Sequence, residues 1–165
     1  MRRVSSRGSL NFFERGFTIV ELAIVIVVLA ILVGLTMGST AGFQEQARDS
    51  ERISDIDVIA RTLESNYRVQ AVATGATYPA TSVGAAGFAT LIADAEATKT
   101  PDKTTSSIVI ATNNSAQVPT FDQYIYQPLN VDESLCTTAP CVKFKLYYRL
   151  EKDGVIGIKN SMRQQ

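Results

Sequence analysis

The apolar and polar positions of this chain follow three successive patterns. Every residue from Leu22 to Leu35 is apolar, glycine included, and a single carboxylate, Glu21, stands directly before this run. Over residues 43–67 the apolar residues recur mostly three or four positions apart, which indicates one face of an amphipathic helix. Over residues 142–150 apolar and polar residues alternate, which predicts a strand with one buried face.

The first two patterns together predict one long helix. No proline occurs in residues 17–72, and a single helix over that range would be roughly 85 Å long at 1.5 Å per residue. We therefore divide the chain into a basic segment (1–16), an apolar half-helix that spans a membrane or mediates assembly (17–38), an amphipathic half-helix (39–72) and a globular head (73–165).

Strand signals are concentrated near the C-terminal end of the head. A short apolar strand is predicted at 124–126, the alternating strand at 142–150, and a last strand at 155–158. These three strands would form a small antiparallel β-meander whose apolar face covers the apolar stripe of the helix. The expected fold is therefore α+β, with a long N-terminal α-helix as a spine packed on the meander.

The turn before the last strand carries a hairpin signature, Asp153-Gly154. A three-residue turn over 152–154 would pair Leu150 with Ile156 and keep the large apolar residues of both strands on one face. A two-residue turn would place the isoleucines on the opposite, lysine-bearing face. The hydrophobic pattern therefore favours the three-residue turn.

Composition restricts the chemistry that is available. Lys+Arg and Asp+Glu number 16 each, so no overall charge points to a nucleic-acid partner, and the chain has no histidine. The lack of histidine excludes Ser-His and Cys-His catalysis and every zinc site that contains histidine. No nucleophile–base pair or convergent group of acids is legible, so we expect neither an enzyme nor a cofactor or metal.

A basic stripe on the predicted strand needs no nucleic acid to explain it. Lys143, Lys145 and Arg149 alternate along the strand, and a solvated sheet face accounts for them equally well. We therefore expect no nucleic-acid contact there.

The charges at the N-terminus orient the apolar run. Arg2, Arg3, Arg7 and Arg15 precede it against a single Glu14, so the positive-inside rule keeps the N-terminus in the cytoplasm and sends the rest across the membrane. The run then has three interpretations. It is a plain membrane anchor, a cleaved secretory signal with the small residues 39–41 as its cleavage site, or an assembly helix trimmed on its cytoplasmic side.

The boundary residues favour the third interpretation. RGFTIVEL, at Arg15–Leu22, resembles the processing site of type IV pilins and related pseudopilins. The resemblance implies that a prepilin peptidase cuts after Gly16 and that the new N-terminal residue, Phe17, is N-methylated. It also implies an assembly role for Glu21, whose carboxylate would attract the N-terminal amine of a neighbouring subunit.

The resemblance implies a structural subunit of a type IV pilus-like filament, with no cofactor. Its partners would be further copies of itself, the prepilin peptidase, and the cytoplasmic membrane with its pilus assembly machinery. The precursor would lie in that membrane with its N-terminus inside and its head outside, and the mature protein in an extracellular pilus. The alternatives are a pseudopilin of a type II secretion-like system, a minor pilin, and a membrane-anchored or secreted extracellular binding domain.

The two cysteines, Cys136 and Cys141, are separated by only four residues. A metal site would lack ligands, since the chain has no histidine and no further cysteine. For a domain exported across a membrane we predict a disulfide between them, which would pin the connection between two strands.

Overall fold

The computed structural model describes residues 16–36, 40–73 and 77–163. The chain divides into two compact units between Thr40 and Ala41, so that helix α1 belongs to the first unit and nearly all of helix α2 belongs to the second, with the sheet. The helices are α1 (Ile19–Thr36), α2 (Thr40–Ala73) and α3 (Gly84–Leu91), with single 3₁₀ turns at Thr81–Val83 and Glu96–Thr98; the strands are β1 (Ile108–Ile110), β2 (Tyr124–Leu129), β3 (Lys143–Arg149) and β4 (Ile156–Asn160).

The α+β class predicted from the sequence is confirmed, but the continuous spine is not shown. The described residues form two helices, α1 and α2, and residues 37–39 between them lie outside the described part of the chain. The predicted basic segment, up to Arg15, also lies outside it.

The sheet is mixed, which corrects the predicted three-stranded meander. Its order is β1-β2-β3-β4, and only β2-β3 and β3-β4 are antiparallel. Strand β1 pairs in parallel with the first three residues of β2, Tyr124 to Tyr126. A parallel neighbour requires the chain to cross over before it returns, and residues 111–123 make this crossover. Pro128, which has no N–H to donate, lies in the part of β2 that β1 does not cover.

Helix α2 packs one face against the inner face of the sheet. Ile56, Ala60 and Leu63, from the predicted stripe, are buried in the core, together with Ile59. The predicted stripe was wrong for its N-terminal part, where Phe43 and Ile53 are exposed, because charged residues, Asp49 and Arg52, take the buried positions there.

Aromatic side chains fill the space between α2 and the sheet. Tyr78 and Phe144 meet edge to face with ring centres 4.9 Å apart, and the rings of Phe88 and Tyr126 lie 4.3 Å apart. Four tyrosine hydroxyls with little or no solvent access each donate a hydrogen bond, and their acceptors are Glu64 for Tyr78, Asp55 for Tyr124, the Pro79 carbonyl for Tyr126 and Gln127 for Tyr147. Each buried aromatic ring thus fills the core while its hydroxyl remains satisfied.

The predicted register of the last hairpin is wrong by one residue. Strand β4 pairs Ile156 with Arg149 and Ile158 with Tyr147, which places both isoleucines on the lysine-bearing face. The turn therefore contains four residues, 151–154, and Gly154 adopts the positive φ of 68° that such a turn requires.

The outer face of the sheet is not simply solvated, and this explains the register. Tyr147 lies on the same face as the lysines of β3, which was expected to be solvated, yet it is buried in a second small apolar cluster with Ala111 and Ile125, against which Ile156 packs. The inner face has its own constraint, because a Cβ at Gly157 would overlap the ring of Tyr148. The observed register is therefore compatible with the contacts on both faces of the sheet. The number of apolar residues on the inner face alone was not enough to predict it.

Candidate functional site

The helix α1 begins with a capping box. The Thr18 hydroxyl accepts a hydrogen bond from the Glu21 backbone N–H at 3.2 Å, and the Glu21 carboxylate accepts one from the Thr18 backbone N–H at 3.0 Å. The same carboxylate also accepts the Thr18 hydroxyl proton at 2.8 Å. Two backbone donors that the first helical turn leaves free are thereby satisfied. Glu21 therefore has a partner within its own chain.

The rest of α1 is apolar on every side. Its large apolar side chains are all exposed, from 48% for Val25 to 87% for Ile19. A helix that is hydrophobic all round is stable in water only when other apolar surface covers it. Within the described residues, no helix combines the length and the apolar character needed to cross a membrane.

The predicted cleavage site directly precedes this helix. Gly16 and Phe17 are both exposed and non-helical, and Phe17 keeps 83% of its surface accessible. The structure thus brings Gly16, Phe17 and Glu21 together at one end of α1. Sequence reasoning missed Thr18, although the Thr-x-x-Glu spacing before an apolar run is itself a capping-box signature that could have identified it.

The predicted disulfide between Cys136 and Cys141 is present, with Cα atoms 5.7 Å apart. Its two backbone ends hold the segment that follows α2. The Tyr78 N–H donates to the Cys141 carbonyl at 2.8 Å, and the Thr81 N–H donates to the Cys136 carbonyl at 3.1 Å. The disulfide loop therefore ties the return from α2 to the sheet, as well as connecting two strands.

A network of charges fixes the β3–β4 turn to α2. The Glu151 carboxylate lies 2.6 Å from Arg48 and 2.6 Å from Arg52, whose side chain is almost wholly buried. On the same turn, the backbone N–H groups of Glu151 and Lys152 donate to the two oxygens of Asp49, at 2.7 and 3.1 Å. The Arg48 and Arg52 guanidiniums lower the pKa of Glu151 through hydrogen bonds, with Arg48 contributing most.

One carboxyl group at the helix–sheet contact behaves differently from Glu151. Asp55 on α2 accepts the Tyr124 hydroxyl at 2.9 Å. Partial burial raises the pKa of Asp55 to about 6, against the lowering effect of the Tyr124 bond. Among the described residues, no three His, Cys, Asp or Glu side chains are grouped so that they could hold a metal ion. The raised pKa thus arises where α2 contacts β2, through Asp55 and Tyr124.

Two features thus stand out as candidate functional surfaces. One is helix α1, with its exposed apolar side chains and capped N-terminal end, and the other is the exposed surface of the head. Comparisons with family models, with curated proteins and with solved structures find no match to this chain.

Proposed function

We propose that this protein is a structural subunit of a type IV pilus-like filament, processed by a prepilin peptidase between Gly16 and Phe17 and polymerised through its apolar N-terminal helix. The precursor would be held at the cytoplasmic membrane with its head outside, and Phe17 would be N-methylated. The observation that carries the proposal is the bare apolar surface of α1, which starts three residues after the proposed cleavage site.

Two further observations support this proposal. Gly16 and Phe17 are exposed and non-helical, which is the backbone state that proteolytic cleavage requires. The head also has its own core and its own disulfide. α1 is therefore available for contacts with other apolar helices.

The position of Glu21 gives the assembly step an electrostatic component. Cleavage would create an amine on Phe17, four residues before Glu21 in the sequence. Among packed apolar helices a carboxylate without a counter-charge is costly, and an ion pair with the amine of a neighbouring copy offsets much of that cost. Only one axial offset between copies brings the two charges together, so the pair would fix the register of the filament.

The capping box supplies a competing account of Glu21, and one pair of variants separates the two. Glu21→Gln keeps a side chain that can complete the capping box but removes the charge, whereas Glu21→Ala removes both. We expect both variants to be cleaved and both to yield at least about tenfold fewer filaments than the wild type, because the loss of charge is common to them. The measurements are the N-terminal sequence of the mature protein and the mass of filaments sheared from cells.

The outcomes are distinct. A mature N-terminus at Phe17 is required; a start at Gly42 would indicate ordinary secretion, and a start at Met1 an uncut anchor. If Glu21→Gln assembles normally while Glu21→Ala does not, Glu21 acts as a helix cap and the charge pairing is wrong. If the wild-type chain is cleaved but forms no filament with the assembly machinery present, the filament proposal itself is wrong.

A further inference from the structure

The charged residues of α2 divide into two groups. Those that face the sheet or its turns have partners within the head. Arg48, Asp49 and Arg52 belong to the network around Glu151, and Asp57 pairs with Lys159 at 2.8 Å. These charges are therefore accounted for by the fold.

Two exposed charges of α2 form the second group. Glu51 and Arg61 have no hydrogen bond and no oppositely charged partner among the described residues. Burial is the main cause of the raised pKa of Asp55, and the like charge of Glu51 raises it further. Each of the two charged side chains is thus exposed, without a counter-charge among the described residues.

The spacing of these charges along α2 is regular. Glu51, Ser54, Val58 and Arg61 follow one another at intervals of three, four and three, so they lie along one side of the helix. Between the charges, Ser54 is exposed and Val58 is partly buried against the core, and both side chains are short enough to let a second helix approach. Ten residues separate Glu51 from Arg61, which corresponds to about 15 Å along the axis.

We propose that this side of α2 is a contact between copies of the chain, in which Glu51 of one subunit pairs with Arg61 of another that is displaced by about 15 Å along the helix axis. The proposal rests on the proposed function and specifies its subunit contact outside α1. Because the two charges lie at different points of the same surface, parallel copies make a head-to-tail contact that repeats without closing. An antiparallel pair of helices would satisfy both charges at once and would stop at the dimer.

The first test uses charge reversal in the full chain, expressed in cells that assemble filaments from the wild type. Glu51→Arg and Arg61→Glu should each lower the yield of sheared filaments by about tenfold or more, since each brings like charges together, and the double variant should restore it. Glu96→Arg, a reversal at a highly exposed position outside α2, is the control and should assemble normally. Wild-type yield from both single reversals, or no recovery in the double variant, overturns the inference.

The second test determines the direction of packing. Glu51→Cys and Arg61→Cys are combined in one chain, and assembled filaments are treated with a bis-maleimide whose spacer matches the length of an Arg–Glu pair. Parallel copies should give a ladder of trimers and larger species on denaturing gels, whereas each single-cysteine chain should give none beyond the dimer. A double-cysteine product that stops at the dimer overturns the inference. Failure of the wild type to form any filament would instead contradict the proposed function, so the two failures are distinguishable.

Discussion

Helices α1 and α2 both lack proline, yet they differ in how much of their apolar surface is buried. The large apolar side chains of α1 are exposed on all sides, and its internal polar contacts are concentrated in the capping box of Thr18 and Glu21. Helix α2 instead buries one face against the sheet, including the charged Arg52. The spacing of apolar residues in a helix therefore does not show whether they are buried within their own chain or remain exposed for contacts with another chain.

The largest expected effect comes from the same substitution made in each helix. Ile59 on α2 is fully buried, whereas Ile26 on α1 is exposed. Ile59→Ala should lower the free energy of unfolding of the head by about 2–5 kcal/mol, through lost burial and the cavity left behind. Ile26→Ala should leave it within about 0.5 kcal/mol of the wild type.

The measurement is urea unfolding of the full chain in detergent, followed by near-ultraviolet circular dichroism of tyrosine. All six tyrosines lie after residue 66, so the signal reports the head and not α1. Equal destabilisation by the two substitutions would contradict this difference between the helices, because α1 would then contribute to the stability of the head.

A smaller effect is expected from a matched pair of arginines, both on α2. Arg52 is buried and bonds to Glu151 and to the Phe121 carbonyl, whereas Arg61 is exposed. Arg52→Met should destabilise the head by about 3 kcal/mol, because it removes one partner from a buried ion pair and leaves Arg48 as the remaining cation at Glu151.

Arg61→Met should not change the free energy of unfolding by more than about 0.5 kcal/mol. The same urea titration measures both variants. A loss from Arg61→Met as large as that from Arg52→Met would mean that Arg61 has a partner within the head, and the contact proposed between copies would lose its basis.

The parts of the fold that follow from local pattern were predictable, and the parts fixed by distant contacts were not. The alternation of β3 and the pairing of Cys136 with Cys141 could be read from neighbouring residues. The register of β4 could not, because it depends on distant contacts: Ala111 and Ile125 cover the outer face at Tyr147, and Asp49, about a hundred residues earlier in the sequence, binds the backbone of the turn.

The candidate site follows the same division. Gly16, Phe17 and Glu21 were predicted from one short stretch, and Thr18 was within reach of the same stretch through its spacing from Glu21. The burial of Tyr147 was not, because its cover comes from Ala111 and Ile125 on other segments of the head. An alternating strand indicates two faces, but it does not tell whether the rest of the chain leaves one of them open to water.

The smallest expected effect concerns the pH dependence of the head. The folded-state pKa of Asp55 is about 6, above the ordinary 3.8, so the folded head binds this proton more tightly than the unfolded chain does. Asp55 therefore contributes stability at low pH that is lost as pH rises from about 4 through 6.

The variant Asp55→Asn tests this dependence, because its side chain keeps an oxygen that accepts a hydrogen bond from the Tyr124 hydroxyl but has no ionisable group. The variant should lack this part of the pH dependence, and its stability relative to the wild type should increase between pH 4 and pH 7. Urea midpoints of both proteins across this range test the prediction. A constant difference between the two would show that the pKa of Asp55 is the same in the folded head as in the unfolded chain, as expected of a carboxyl group open to water.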